Sequence, residues 1–511
     1  MSMARNSRIF VSAVIAFFVV FILMPSANAA TAAALKATPV FVAPKPSLSN
    51  RFATNGASSY FIDRAGRLWA WGSNEVGELG NGSIIDSPTP VRVKFPAKLG
   101  HAAIIRLTVT EDGSVYALDS VGHLWAWGYN RHGQLGVGFG DIENHLTATR
   151  VDFPAALGTA LIVSIAANHE GFDSVYAVDS LGRLWAWGNN ENGQLGDGSL
   201  TGHETPVRVK FPAALGHASI TSVAVYNDEG GFIAIYALDN AGRLWAWGDD
   251  DVGELGNGSV NVDFTMHPAQ VRFPRNAGAV SIDSFVTGSS GDFFALDHAG
   301  RLWACGNNEN GRLGVGSTTS QSTPVQVRFP THWWQRSVSI VSVVAARYSY
   351  GASYAIDSAG RLWSWGGNRY GALGQDTSAA QLTPQRVQFP PALRGDSIVS
   401  LGADGYAAYA IDSAGRLWAW GNNRYGQLGS GHIANRFNPP ALVRFPGDLG
   451  SASIVSVSAR SPNFVSAFAY ATDSMGHLWG WGYNNHGQLG DASNAIVALP
   501  TRIRFQAGVA Q

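Results

Sequence analysis

One pentapeptide, Leu-Trp-Ala-Trp-Gly or a near copy, occurs eight times along the chain, ending at Gly72, Gly128, Gly188, Gly248, Gly306, Gly366, Gly421 and Gly482. Successive copies lie 55 to 61 residues apart. Recurrence at so regular a period marks a tandem array, in which a single unit cannot bury its apolar face and must stack on its neighbours. The array fills the chain from about Arg51 to Phe505 and leaves no room for a second domain.

Each unit reads as four short strands. In the fourth unit, Ser219–Val223 is apolar and partly alternating, Ile235–Asp239 follows, Asn240–Arg243 makes a turn, and Leu244–Gly248 closes the run. The preceding unit shows the fourth segment at Pro206–Phe211. All are rich in β-branched or aromatic residues and bounded by Gly, Pro, Asn or Asp. The Asp-x-x-Gly turns at Asp179–Gly182, Asp357–Gly360 and Asp412–Gly415 suit a tight hairpin, because glycine supplies the positive φ. Four antiparallel strands per period make the blade of an all-β propeller with eight repeats, a seven-bladed ring being the main alternative. Side chains alternate along a strand, so both Trp of Leu-Trp-Ala-Trp share one face and leave a shallow Leu/Ala face opposite. Stacking one blade's indoles on the next blade's shallow face places fifteen of the seventeen Trp in the core; sugar-stacking platforms are the competing reading. Closure is expected from Thr501–Phe505 pairing into the sheet that holds Leu68–Gly72.

The extended motif is Trp71-Gly72-Ser73-Asn74-Glu75-Val76-Gly77-Glu78-Leu79-Gly80, repeated from Trp187 to Gly196 and from Trp420 to Gly429. It resembles the repeat of the RCC1 (regulator of chromosome condensation) family. The resemblance implies a propeller whose loops meet a protein partner, as in a chromatin-bound exchange factor for a small GTPase or a secreted bacterial inhibitor of β-lactamases. Three departures matter. Eight motifs stand where the best-known members have seven blades. The His that many repeats carry before the second strand is replaced by stretches such as Glu111-Asp112-Gly113-Ser114 and Ser349-Tyr350-Gly351-Ala352. No interval is long enough for the wedge-like hairpin with which the exchange factor opens its GTPase, which argues against exchange activity.

At the N-terminus, Arg5 and Arg8 precede an apolar run from Ile9 to Met24, then Pro25 and Ala27-Asn28-Ala29. That order predicts a Sec-type signal peptide over 1–29 cleaved after Ala29, a linker over 30–50, the propeller over 51–511, and a secreted or periplasmic protein. An uncleaved anchor is the alternative. Net charge is −1, and −3 without the first 29 residues. So neutral a chain offers no bulk attraction for nucleic acid or anionic membrane. The single cysteine, Cys305, occupies the second Trp position of its unit and reads as a small buried substitute that no disulfide can use.

Nothing in the sequence points to catalysis. There is no Gly-x-Ser-x-Gly, no phosphate loop, no credible carboxylate pair and no metal-ligand spacing among the His, and no cofactor is expected. Asp249-Asp250-Asp251 lacks the spaced ligands of a calcium loop and reads as an exposed acidic turn. Trp69, Trp71, Gly72, Asn74, Gly77 and Gly80 are structural, with Asn74 tying its own loop through side-chain-to-backbone bonds. Recognition is instead expected from the two variable residues between Asn and Gly. Glu191-Asn192, Asp251-Val252 and Glu309-Asn310 form an acidic arc on units three to five. Arg369-Tyr370, Arg424-Tyr425, Asn485-His486 and Arg131-His132 give units six, seven, eight and two a basic and aromatic character. Arg and Tyr are enriched at interface hot spots, and the blade-to-blade variety suits one asymmetric protein surface; neutral drift of exposed loops is the alternative. Trp333, Trp334 and Arg336 add a second candidate, either a plug between blades or an exposed anchor. The expectation is a monomeric, non-enzymatic protein-binding propeller. A regulator of a host small GTPase and a carbohydrate-binding propeller are the alternatives.

Overall fold

A computed structural model describes residues 51–505, without 139, 169–172, 228–232, 331–337, 346–350, 376, 394, 404–405 and 461–466. The expected signal peptide and linker lie outside the described residues. Eight four-stranded antiparallel sheets follow one another, each built from four strands consecutive in the chain. They are the blades of an eight-bladed propeller, which settles the ring size against seven. Blade 2 is typical: Ile104–Val109, Ser114–Asp119, Leu124–Gly128 and His145–Arg150, paired in that order. The two middle strands are buried throughout, while the fourth is half exposed. First strands of neighbouring blades touch one another, so they surround the axis and the fourth strands form the rim. Antiparallel order then puts the first-to-second loops and the Trp-Gly motif loops on one face of the ring. The Asp-x-x-Gly turns lie on the other.

All fifteen repeat Trp are at most 5% exposed, which excludes the sugar-platform reading for them. At the seam between blades 1 and 2, Trp125 and Trp127 pack on Tyr60, Ile62, Leu68 and Ala70. At the next seam, Trp185 and Trp187 pack on Leu124 and Ala126. The indoles of each blade thus fill the shallow face of the one before. A Phe shortly after the fourth strand packs against the next blade's indoles, as Phe95 does edge-on with ring centroids 5.8 and 5.9 Å from Trp125 and Trp127.

Both indole N–H groups are satisfied. The first Trp of every pair donates to the aspartate of its hairpin turn, for example Trp185 Nε1 to Asp179 Oδ2 at 2.9 Å. That carboxylate also accepts from Leu181 N, Arg183 N and Arg183 Nε, so the aspartate is a hub and not only a turn former. The second Trp donates across the seam to a main-chain carbonyl of the previous motif loop. Trp127 reaches Glu78 O, Trp187 reaches Gln134 O and Trp481 reaches Gln427 O, at 2.6–2.8 Å. Gly80 has φ +61°, and a Cβ there would lie 2.7 Å from Trp127 Nε1. Glycine is needed where the next blade's indole passes.

Ring closure differs from the expectation. The last strand, Val497–Arg502, pairs with Leu478–Gly482 of its own blade, and blade 1 supplies its own short first strand, Phe52–Thr54. No strand is exchanged, because that three-residue segment already completes the first sheet. The ends join as the other seams do: Trp71 Nε1 donates to Gln488 O at 2.7 Å, and Phe505 stacks on Phe61 at 5.4 Å.

Blade 5 departs from the pattern in a compensated way. Cys305 replaces the second Trp, is fully buried, and lies directly opposite Phe293 across the strands. The residues facing that Trp elsewhere are smaller, such as Val115 opposite Trp127 and Ala408 opposite Trp420. Phe293 therefore returns the volume that the missing indole gives up. Burial pushes the Cys305 thiol well up, away from any reactive thiolate.

Candidate binding face

The motif loops are rigid platforms under variable side chains. Asn74 Oδ1 accepts from Leu79 N at 2.9 Å, while its amide donates to Ser83 O and Ile85 O. Asp250, in the same position of blade 4, reverses the polarity and accepts from Asn257 Nδ2 and Ser259 Oγ. In six blades a buried Gln or Glu two residues after the variable pair pins it from beneath, Arg312 and Ala372 standing there in blades 5 and 6: Gln134 Oε1 accepts from His132 N at 2.9 Å and Gln427 Oε1 from Tyr425 N at 2.8 Å. The backbone is thereby fixed while the outer side chains face water.

Arg131, His132, Arg369, Arg424 and His486 are exposed on this face, and Tyr370 and Tyr425 are half-buried beside them. Two consecutive blades repeat one arrangement. The Arg369 guanidinium lies 5.3 Å over Tyr370, which meets Tyr406 edge-on at 5.5 Å. Arg424 lies 5.8 Å over Tyr425, which meets Tyr483 edge-on at 5.3 Å. Each guanidinium lies over an aromatic ring. Tyr406 and Tyr483, which sequence reasoning did not single out, support the exposed pair from the neighbouring blade. Trp333, Trp334 and Arg336 lie outside the described residues.

The face also brings two carboxylates, Asp112 and Asp173, together across a seam. His132 Nδ1 lies 2.6 Å from Asp173 Oδ2 of the next blade. Burial, with Asp112 alongside, pushes the Asp173 carboxyl up to about 6, against the lowering effect of the His132 bond. The two acids stand far apart in sequence on different blades, so no local motif announces them. The acidic run of blade 4 is corrected too: Asp249 and Asp250 are buried, not exposed. Their carboxylates serve backbone needs, as in Ile233 N donating to Asp249 Oδ2 at 2.6 Å. Burial pushes the carboxyl of nearby Glu254 up to about 7. Among the described residues no group of three His, Cys, Asp or Glu could hold a metal ion.

Comparison with known proteins identifies the repeat. The family model of the regulator of chromosome condensation (RCC1) repeat matches residues 65–106, 182–225, 241–295, 299–348, 359–404, 414–459 and 475–510, and a second model of the same repeat matches 162–194. The chain belongs to the RCC1 repeat family. It is 29% identical to the ultraviolet-B receptor UVR8 of Arabidopsis thaliana over 68% of this chain and 70% of that protein. It is 28% identical to the E3 ubiquitin-protein ligase HERC2 of Homo sapiens over 75% of this chain, but spans only 7% of that much longer protein. Among solved structures it resembles Prp20p of Saccharomyces cerevisiae, with TM-score 0.51 and 23% identity over 69% of this chain and 79% of that one. It also resembles human WBSCR16, with TM-score 0.55 and 18% identity over 77% and 96%.

Proposed function

We propose that this chain is a non-enzymatic protein-binding propeller acting outside the cytoplasm, and that its motif-loop face, on blades 6, 7, 8 and 2, receives an acidic patch on a protein partner. The observation that carries this reading is the doubled Arg-on-Tyr arrangement at Arg369/Tyr370 and Arg424/Tyr425 on adjacent blades. Held cations lose little side-chain freedom on binding, and aromatic neighbours supply contact area. The acidic side chains Glu191, Asp251 and Glu309 on blades 3 to 5 give the face two poles, which fixes the partner's orientation. The extracellular setting rests on the basic, apolar, small-residue order of residues 1–29. The seam-buried indoles leave a carbohydrate-binding reading only the residues outside the repeat.

Prp20p, described with binding to Gsp1p and histones, supports a second reading, regulation of a small GTPase. One experiment separates the two. Affinity capture from culture medium and host lysate compares the wild type with Arg369→Ala/Arg424→Ala, and any captured GTPase is assayed for nucleotide exchange. Loss of the partner in the variant without exchange activity supports a binding module. Stimulated exchange favours the GTPase regulator. Unchanged capture by the variant removes the proposed face.

A further inference from the structure

The inner strands carry a pattern that the binding face does not use. The residue opposite the one before each hairpin aspartate is Ser164, Ser222, Ser284, Ser342, Ser400 and Ser456 in blades 3 to 8. These six side chains are partly buried on the strands that surround the axis. Blade 2 places Arg106 in the same register, facing Leu118. In blade 1 the equivalent residue is Arg51, whose carbonyl accepts from Ile62 N at 2.7 Å. A column of hydroxyls is therefore broken by two arginines on adjacent blades.

Neither arginine forms an ion pair among the described residues. Arg106 NH1 donates to Ser164 Oγ at 3.1 Å. Burial disfavours its charge, and no carboxylate offsets that cost. Arg51 Nε is buried without a hydrogen-bond partner. Its nearest acid, Asp63, already accepts from Arg67 Nε at 2.7 Å and Trp69 Nε1 at 3.0 Å. Arg64 adds a further positive charge beside it. Two other acids near the axis are already engaged, Asp283 with His298 and Glu111 with Arg460. Arg106 is therefore a partly desolvated cation with a hydroxyl and no carboxylate beside it, which favours a counter-charge.

We infer that the inner-strand seam of blades 2 and 3 binds a small oxyanion at Arg106, with the Ser164 hydroxyl as a second donor. Because Ser164 accepts from Arg106, its own proton is free to point the same way. A guanidinium fork beside a hydroxyl suits the paired oxygens of phosphate, sulfate or a carboxylate. The ligand is a free solute, since protein surfaces have no access to the strands around the axis. This site is independent of the binding-face reading, because Arg106 and Ser164 lie on first strands and not on the motif loops.

The test is calorimetry on the purified protein with inorganic phosphate, sulfate and citrate as probes, against sodium chloride of matched ionic strength. Wild type should bind at least one of the three saturably at concentrations up to about 10 mM. Arg106→Ser, which installs the residue of six other blades, should weaken that binding at least tenfold. Preference for phosphate and sulfate over citrate would assign a tetrahedral anion, and the reverse a carboxylate. Absence of saturable binding by wild type, or wild-type affinity in Arg106→Ser, would overturn the inference. Should that variant fail to fold, Arg106→Lys keeps the charge without the fork; tenfold weaker binding supports the site, and undiminished binding refutes it.

Discussion

Replacing Glu254 by Gln should make this propeller more stable, increasingly so as pH rises from about 4.5 to 7. Glu254 is 1% exposed, and its Oε2 accepts from Val252 N at 2.8 Å. Gln134, Gln194, Gln427 and Gln488 occupy the same position in blades 2, 3, 7 and 8, each accepting the equivalent bond at 2.8–2.9 Å. An amide thus fits the site and keeps the acceptor. It also gains a donor: Gln194 Nε2 donates to Asn189 Oδ1 at 3.0 Å, and blade 4 has Asp249 in place of that Asn. Burial raises the Glu254 carboxyl from 4.5 to about 7. A carboxyl raised on folding holds a proton that the unfolded chain has released, so its stability contribution falls as pH rises from about 4.5 to 7. Above pH 7 the ionised group costs about 3 kcal/mol. For a ring of this size, with an unfolding entropy of about 1 kcal/mol/K, that is roughly 3 °C in Tm. Thermal unfolding followed by circular dichroism at pH 8.5 and pH 4 checks this. Glu254→Gln should gain about 3 °C at pH 8.5 and almost nothing at pH 4. An equal shift at both values, or a loss at pH 8.5, would refute the reasoning.

Three further outcomes are expected. Cys305→Trp should destabilise the seam between blades 4 and 5 by about 3 kcal/mol through overpacking against Phe293. Adding Phe293→Val should recover much of that loss in chemical denaturation, whereas simple addition of the two single effects would show that the pair is not compensated. His132→Ala removes the partner of a carboxylate that ionises at about 6; it should cost about 1 kcal/mol above that pH and little at pH 4, read from urea midpoints at each pH. Arg369→Ala/Arg424→Ala should leave Tm within about 1 °C of wild type, because both side chains lie on the surface, while partner affinity falls at least tenfold.

What the sequence made legible was whatever repeats. Leu-Trp-Ala-Trp fixed strand, face and burial together, because a period of two leaves both indoles on one side. The motif Asn was readable because its bonds are local, Asn74 to Leu79 and Ser83. Contacts between blades were not readable in this way. Asp112 and Asp173 meet across a seam, as do Tyr425 and Tyr483, and no spacing rule links such residues. Closure was misjudged because Phe52–Thr54 is too short to show alternation, although three residues suffice to complete the first sheet. Asp249 and Asp250 looked like a solvated run because charge suggests exposure, yet Asp250 sits where other blades bury an Asn and Asp249 accepts from Ile233 N. Some signals were present but needed alignment of one blade on another. The exchange of Trp for Cys305 with Phe293 opposite, and of Ser for Arg51 and Arg106, stand out once the strands are in register.

The central claim is that the motif-loop face is the surface that meets a partner while the opposite face does not. Hydrogen exchange by mass spectrometry, on the propeller alone and saturated with its captured partner, addresses this directly. Slowed exchange is predicted in the loops around Arg369–Gly371, Arg424–Gly426 and His486–Gln488, with the turns at Asp239–Gly242 and Asp412–Gly415 unchanged. Protection confined to those turns or to the fourth strands would contradict the account.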